Sequence, residues 1–523
     1  MKDTVCIVLA AGDGKRMNSV KPKVLMEVLF KPMLGWVLDS AERLNPDVIC
    51  VVTGNGEEQI TRYLDTRSRE YTVTRQTVRK GTGHAVMQAE EVLKGSKNVL
   101  VLCGDAPFMD DETLKGALET HRKGQCGVTV IAAAPDNPFG YGRIVRDEKG
   151  DLLKIVEQKD ATIQEQHIRE VNSGAYWFDS EALLEALPKL SDKNASGEYY
   201  LTDAAALIKE SGKRAAVFSA RHKSIVLGAN TRHDLYSLNY LARMAVIGDL
   251  MTSGVEFPCT DGVIIGKDVT IGRDTVILPG TIIRGRCNIG CGCEIGPNTL
   301  LENVNVGDGV KLNSVQAYSS TIESGATVGP FSQLRAGSHI GQNVKIGDFV
   351  EVKASNIGEN TSMAHLTYVG DGVKLNSVQA YSSTIESGTA IGPFSHIRPG
   401  SHIGPGVKIG DFVEIKNSNI GEKTSVAHLT YLGDSDVGRG VNFGCGCVTA
   451  NYDGIKKFRT RIGDNAFIGC NTNLIAPVEI GENATTGAGS TITESVPANS
   501  LAVERTETKI IHDWEKNKLR KKK

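Results

Sequence analysis

The run Leu9-Ala10-Ala11-Gly12-Asp13-Gly14-Lys15-Arg16-Met17 sets a glycine turn behind a short apolar stretch, and Lys21-Pro22-Lys23-Val24-Leu25 follows it. A glycine turn at a helix N-terminus presents backbone N–H groups to phosphate. Arg16 and Lys23 supply two cations to neutralise a triphosphate and its departing pyrophosphate. Cys103-Gly104-Asp105 closes a second apolar stretch, at a strand end where α/β sheets place ligands. Asp105 offers the hard carboxylate oxygen that Mg²⁺ prefers. In the second half, His428 stands within Ala427-His428-Leu429-Thr430-Tyr431. Its ordinary pKa suits histidine to moving a proton near neutrality.

These residues need two different frames. In the first half, Val5–Leu9 and Val99–Leu102 read as buried strands of a parallel sheet, each followed by a glycine-containing turn and a helix-like stretch. That is the βα pattern of a doubly wound, Rossmann-like α/β domain. Thr231 to about Met251 reads as one helix, capped by Thr231 with Asp234 three residues on, and carrying Leu235, Leu238, Leu241 and Met244 at helical spacing.

After Val255 the period becomes six. Ile265, Ile271, Ile277, Ile283, Ile289, Ile295 and Leu301 recur at intervals of six, and Val269, Thr275, Thr281, Cys287, Cys293 and Thr299 sit four places after most of them. Neither a 3.6 nor a 2.0 period gives this pattern. A short strand and a tight turn, three per coil, does, with the aliphatic residue filling the axis. The register resumes at Ile462, Ile468, Leu474 and Ile480. This is the hexapeptide repeat of a left-handed parallel β-helix. The expected domains are 1–232, a linker helix 233–253, and a β-helix 254–523.

Composition narrows the function classes. The chain has 523 residues and a formal net charge of −2, which argues against nucleic acid as a partner. No stretch approaches the ~20 apolar residues of a membrane span. The apolar run before Gly12 is too short for a signal peptide. The 11 cysteines are odd in number and scattered, so a reducing cytoplasm is expected rather than a disulfide framework. Packing accounts for Cys287, Cys293 and Cys447 at the small inward position, ahead of a Cys287/Cys291/Cys293 metal cluster. The lysine-rich end, Lys516 to Lys523, reads as a solvated tail.

The N-terminal string resembles the signature of sugar-nucleotide pyrophosphorylases. Gln76, Gly81-Thr82-Gly83-His84-Ala85, Tyr141-Gly142-Arg143-Ile144, Glu157, Asn172 within Val171-Asn172-Ser173-Gly174, and Glu198-Tyr199-Tyr200-Leu201-Thr202-Asp203 narrow this to the bacterial N-acetylglucosamine-1-phosphate uridylyltransferases. The resemblance implies a UTP and UDP-N-acetylglucosamine site of Leu9, Ala10, Ala11, Gly12, Lys23, Gln76, Gly81, Thr82, Cys103, Gly104, Asp105, Gly142, Glu157, Asn172 and Asn230. It also implies Mg²⁺ on Asp105 and Asn230, with Arg16 and Lys23 catalytic. A tyrosine is usual at Cys103. Ile397-Arg398-Pro399-Gly400, Phe412-Val413-Glu414-Ile415-Lys416, Ala427-His428-Leu429-Thr430-Tyr431-Leu432-Gly433-Asp434 and Asn451-Tyr452-Asp453-Gly454 resemble the glucosamine-1-phosphate acetyltransferase half of the same bifunctional family. That resemblance implies His428 as general base and Arg398, Lys416, Tyr431, Asn442 and Lys457 around the amino sugar. It places acetyl-CoA on Cys445, Asn451, Tyr452, Cys470, Ala488 and Arg505. Alanine and serine are expected at Cys445 and Cys470.

One feature departs from the family pattern. Gly307 to Gly325 recurs unchanged at Gly370 to Gly388, and the similarity runs on, so that 307–369 and 370–433 form a repeat with an offset of 63 residues. The first copy carries its own Arg335, Lys353, His365 and Tyr368, but lacks the Asn442 coil and the Asn451-Tyr452 loop. It reads as spacer. With about 18 residues per coil, the offset is not a whole number of coils. Either residues loop out, or the second copy turns onto another face.

The resulting reading is a bifunctional enzyme. It acetylates glucosamine-1-phosphate and then uridylylates the product to UDP-N-acetylglucosamine for cell-wall precursors, as a homotrimer joined through the β-helix. Two readings stand against it: a single-activity nucleotidylyltransferase with a scaffold β-helix, and a non-catalytic assembly protein. Arg16, Lys23 and Asp105 argue against the second, and His428 with Asn451-Tyr452 against the first.

Overall fold

The computed structural model describes residues 3–12, 14–504 and 508–514, and Arg505 and the lysine-rich end lie outside them. The chain divides into two compact units, Met1–Ala245 and Val246–Lys523.

The first unit is built on a mixed sheet. Its strand order is 214–219, 126–133, 171–179, 98–103, 4–10, 48–53, 72–75. The strand Thr4–Ala10 pairs in parallel with Val48–Thr53 on one side and with Asn98–Cys103 on the other. These two neighbours lie on opposite sides of the first strand, so the chain reverses its winding there. A crevice opens at the carboxyl ends where that happens. Both faces of the sheet are covered, as the continuous apolar runs require. Ile7, Val101, Val130 and Phe178 face one core; Val8, Leu100, Trp177 and Leu34 face the other. The long helix is Arg232–Thr252. Thr231 Oγ1 accepts from the Asp234 N–H, and Asp234 Oδ2 accepts from the Thr231 N–H, a reciprocal cap.

The second unit is a parallel β-helix. Among the described residues three sheets of 13, 14 and 13 strands run along it, each strand pairing with the one a full coil on. Ile265, Ile277, Ile283 and Ile295 are at most 1% exposed, as are Thr275, Thr281, Cys287 and Cys293 at the small position. Each coil thus buries both members of the six-residue pattern.

The duplication turns onto another face; nothing loops out. Between Leu334 and Ile397 the inward positions step eleven times, and the steps Val352–Ile357, Leu375–Ala380 and Ala380–Ile385 are five residues rather than six. Eleven strands are three coils and two faces. The first copy's strands Gln333–Leu334 and Glu351–Val352 therefore belong to one sheet, and the second copy's His396–Ile397 and Glu414–Lys416 to another. At a coil spacing of about 4.8 Å, the copies are offset by about 18 Å along the axis.

Candidate functional sites

In the first unit, the strand ends Leu9 and Cys103 are register partners, and the Gly104 N–H donates to the Leu9 carbonyl at 2.9 Å. Beyond them lies a cleft of about 500 Å³, lined by Ala11, Gly12, Arg16, Lys23, Gln76, Asp105 and Asn230 among others. Lys23 sits at its floor. Its ammonium pairs with Asp105 Oδ2 and donates to Asn230 Oδ1 at 2.7 Å. The two oxygens expected to hold a metal thus already converge on one positive charge. Asn230 is fixed from behind, because its N–H donates to Asp234 Oδ2 at 2.9 Å. Burial raises the Asp234 pKa, but the N–H groups of Asn230 and Thr231 outweigh it and keep the carboxylate charged. Asp234 is a site-supporting residue that its role as helix cap concealed in the sequence. Gly14 adopts φ +61°, and a Cβ there would lie 2.7 Å from Lys23 Cβ, so glycine lets the loop close over the lysine.

Of the residues expected to read the base and the sugar, Gln76, Gly81 and Thr82 line this cleft. Gln76 is buried, and its Nε2 bonds to the Gly81 carbonyl at 3.0 Å and to His84 Nδ1 at 2.9 Å. Thr82 Oγ1 accepts from the Leu201 N–H at 3.1 Å, which ties the Gly81-Thr82 turn to the Glu198–Asp203 string. Glu198 and Arg79 also line the cleft, and sequence reading gave neither a role there. Gly142, Glu157 and Asn172 come together. The Asn172 N–H donates to the Gly142 carbonyl at 2.9 Å, and a Cβ on Gly142 would lie 3.3 Å from Glu157 Oε1. Burial raises the Glu157 pKa against the hydrogen bond from Thr202. Cys103 fills its position closely: its thiol donates to the Gly174 carbonyl at 3.4 Å.

In the β-helix, two columns of residues converge. The first runs up one corner. Backbone hydrogen bonds from Leu429 to Asp411, Gly446 to His428, Asn471 to Cys445, and Gly489 to Cys470 stack Asp411, His428, Cys445, Cys470 and Ala488 on successive coils. The second column, on the adjoining face, stacks Arg398, Lys416 and Gly433. Arg398 Nη1 pairs with Glu414 at 2.7 Å. Tyr431 folds over Gly433: a Cβ there would lie 2.5 Å from the Tyr431 hydroxyl and 2.7 Å from Asn451 Nδ2. Asp434 is buried and accepts from Asn417 Nδ2 at 2.5 Å and from Asn451 Nδ2. His428 Nδ1 lies 3.9 Å from Asp411 Oδ2. Asn442 lies in the same sheet as Asp411 and His428, one coil beyond Ser425 at the end of the strand away from His428, and Lys457 is exposed on the loop that follows Tyr452. Asn442 therefore stands apart from the column of Arg398, Lys416 and Gly433 in this chain.

The first copy differs in detail. Asp371, the counterpart of Asp434, pairs with Lys353 at 3.0 Å, because Ala354 stands where the second copy has Asn417. Lys353 is neutralised there, whereas among the described residues Lys416 forms no ion pair. We expect Gly433→Ala to displace Tyr431 and Asn451, raising KM for the amino sugar about tenfold or more while nucleotidyl transfer is unchanged, as parallel assays of both activities would show.

Residues 5–224 match the nucleotidyl transferase family, and residues 319–354, 382–417 and 459–494 match the bacterial transferase hexapeptide (six repeats) family, in accord with a left-handed β-helix. Over 526 aligned residues the chain is 40% identical to the bifunctional protein GlmU of Acetivibrio thermocellus, covering 100% of both chains. It is 38% identical to that of Alkaliphilus metalliredigens over 97% of each chain, and 37% identical to that of Clostridioides difficile over 98% of each. Among the described residues no helix is long and apolar enough to cross a membrane. With both halves matched end to end, the chain belongs to the bifunctional GlmU family.

Proposed function

We propose that this protein makes UDP-N-acetylglucosamine by two transfers at two sites. The β-helix moves acetyl from acetyl-CoA to glucosamine-1-phosphate, and the α/β unit then joins the product to UMP from UTP, releasing pyrophosphate. The observation that carries the second step is the convergence of Lys23, Asp105 and Asn230 at the cleft floor. The residues fit Mg²⁺, since one carboxylate and one amide oxygen are hard donors and leave coordination positions for phosphate and water. Bound there, the ion would neutralise phosphate charge as the bond to pyrophosphate breaks. Lys23 then releases its two oxygens and turns to the α-phosphate, and Arg16 faces the leaving pyrophosphate. No protein nucleophile is needed; positioning and charge supply the rate. Gln76 and the Gly81-Thr82 turn hold the uracil, and Gly142, Glu157 and Asn172 hold the sugar.

For acetyl transfer, His428 takes the amine proton while Asp411 orients the ring. Arg398 and Lys416 hold the sugar phosphate. Cys445, Cys470 and Ala488, with Asn451-Tyr452, form the acetyl-CoA track that continues beyond His428; Arg505, which the resemblance adds to it, lies outside the described residues. Asn442, at the far end of the His428 face, and Lys457, on an exposed loop, stand apart from the Arg398 column, which suits a homotrimer in which neighbouring chains complete each site. Phe394, Phe412 and Leu429 form an exposed apolar ladder beside His428, with the two rings stacked at 5.1 Å, and such a ladder suits burial against a neighbour. A cytoplasmic location, supplying cell-wall precursors, follows from this chemistry.

The test is purified protein with glucosamine-1-phosphate, acetyl-CoA, UTP and Mg²⁺, with both products followed separately. Formation of only one product overturns the reading. Excess chelator is expected to stop uridylyl transfer and leave acetyl transfer running, and added Mg²⁺ to restore it. Full uridylyl transfer in chelator contradicts the metal assignment.

A further inference from the structure

Two of the thiols on the acetyl-CoA track occupy equivalent places on adjacent coils. The Asn471 N–H donates to the Cys445 carbonyl at 2.8 Å, which puts Cys470 in register with Cys445 at one corner. In-register residues on neighbouring parallel strands lie about 4.8 Å apart. That falls within the ~4.4–6.8 Å Cα separation of disulfides. The Cys470 side chain reaches back over the lower coil: a Cβ built on Gly444 would meet its Sγ at 2.8 Å. Cys470 is exposed and Cys445 partly exposed, so a soluble reagent can reach them.

The other nearby thiol is a poor partner. Cys447 points inward and is 1% exposed, and its thiol donates to the Gly444 and Gly469 carbonyls at 3.0 and 3.1 Å. Burial is the main cause that pushes its pKa up to about 11. Cys291 is also exposed at a corner, but the residues in register with it are Arg273 and Asp308, and it has no thiol above or below.

We propose that Cys445 and Cys470 close a reversible disulfide across adjacent coils and that this bond shuts the acetyl-CoA track. The consequence rests on the acetyl-transfer reading above; the bond itself does not. The oxidant is a low-molecular-weight disulfide, RS–SR. The Cys470 thiolate attacks one sulfur, and one RS⁻ leaves. The Cys445 thiolate then displaces the second RS⁻ from the mixed disulfide. The two protein thiols lose two protons and two electrons, which end on two RSH. The product is one rigid rung on the coils next beyond His428, in place of two separately rotating thiols. A thiol reductant reverses each step by the same exchange.

The test uses the full-length protein treated with glutathione disulfide. An intact mass lower by two hydrogens, with a peptide crosslink between Cys445 and Cys470, is the expected result. Acetyl transfer falls at least about tenfold, since misplacing the thioester by about 1 Å suffices for that. Uridylyl transfer is unchanged, and dithiothreitol restores acetyl transfer. Cys445→Ser and Cys470→Ser, each compared with its own reduced rate, are expected to lose this sensitivity. A retained glutathione adduct without the crosslink overturns the bond. A crosslink that leaves acetyl transfer unaffected overturns the switch. Reduced protein without acetyl transfer signals failure of the functional reading instead, and the mass measurement still decides the bond.

Discussion

Asp105→Ala is expected to remove uridylyl transfer and leave acetyl transfer intact. The substitution deletes one of the two oxygens on which Lys23 converges, at the end of the strand Asn98–Cys103. It takes away the carboxylate proposed to hold the metal and the group that holds the Lys23 ammonium in place. Loss of one preorganised electrostatic group typically costs about 10²–10³ in kcat, and here two are disturbed. The carboxylate is 30% exposed, so its removal leaves no large cavity. None of the residues assigned to acetyl transfer belongs to Met1–Ala245. The two effects should therefore separate cleanly. Asp105→Asn keeps the shape and loses the charge, and is expected to fall nearly as far. Measuring both activities on both variants, with circular dichroism to confirm folding, checks this. An equal fall in both activities of a folded variant contradicts the two-site account.

Much of this was legible in the sequence because period and chemistry are local. The six-residue spacing of Ile265 to Leu301 fixes which residues fill the β-helix axis, and each is buried. Thr231 and Asp234 mark the helix start three residues apart and cap each other as expected. What sequence reading could not give is which face a residue occupies. That depends on a running count of short steps, and three five-residue steps decide it. The nineteen residues repeated from Gly307 at Gly370 illustrate the point, because identical local sequence forms the same strands and corners on different faces. Long-range partners were also hidden. Asp434 and Asp371 stand in matching strings, yet one is held by Asn417 and Asn451 and the other pairs with Lys353. The difference traces to Ala354 and to a loop present in only one copy.

His428→Ala is expected to remove acetyl transfer, and His365→Ala to change it little. Both histidines sit beside a carboxylate, with His365 Nδ1 3.0 Å from Asp348 and His428 Nδ1 3.9 Å from Asp411. Both are exposed, at 63% and 56%. Proximity to an acid therefore does not separate them; what lies on the next coils does. Beyond His428 the corner presents Cys445, Cys470 and Ala488, all small. A thioester and its pantetheine arm can lie along such a column. Beyond His365 the register brings Tyr381 and then Arg398, whose bulk fills the same path. The first copy's counterpart of the proposed phosphate-binding Lys416 is also occupied, because Lys353 is paired with Asp371. A base without a thioester carbon close to the attacking amine contributes little. A positioned general base is worth about 10²–10⁴-fold, and that is the loss expected for His428→Ala. His365→Ala should stay within about threefold of the parent, an effect worth well under 1 kcal/mol of barrier. Steady-state kinetics on the two single variants, with uridylyl transfer as the internal control, decide between the copies. A His365→Ala defect as large as that of His428→Ala means that the first copy carries the chemistry, facing a neighbouring chain in the proposed trimer.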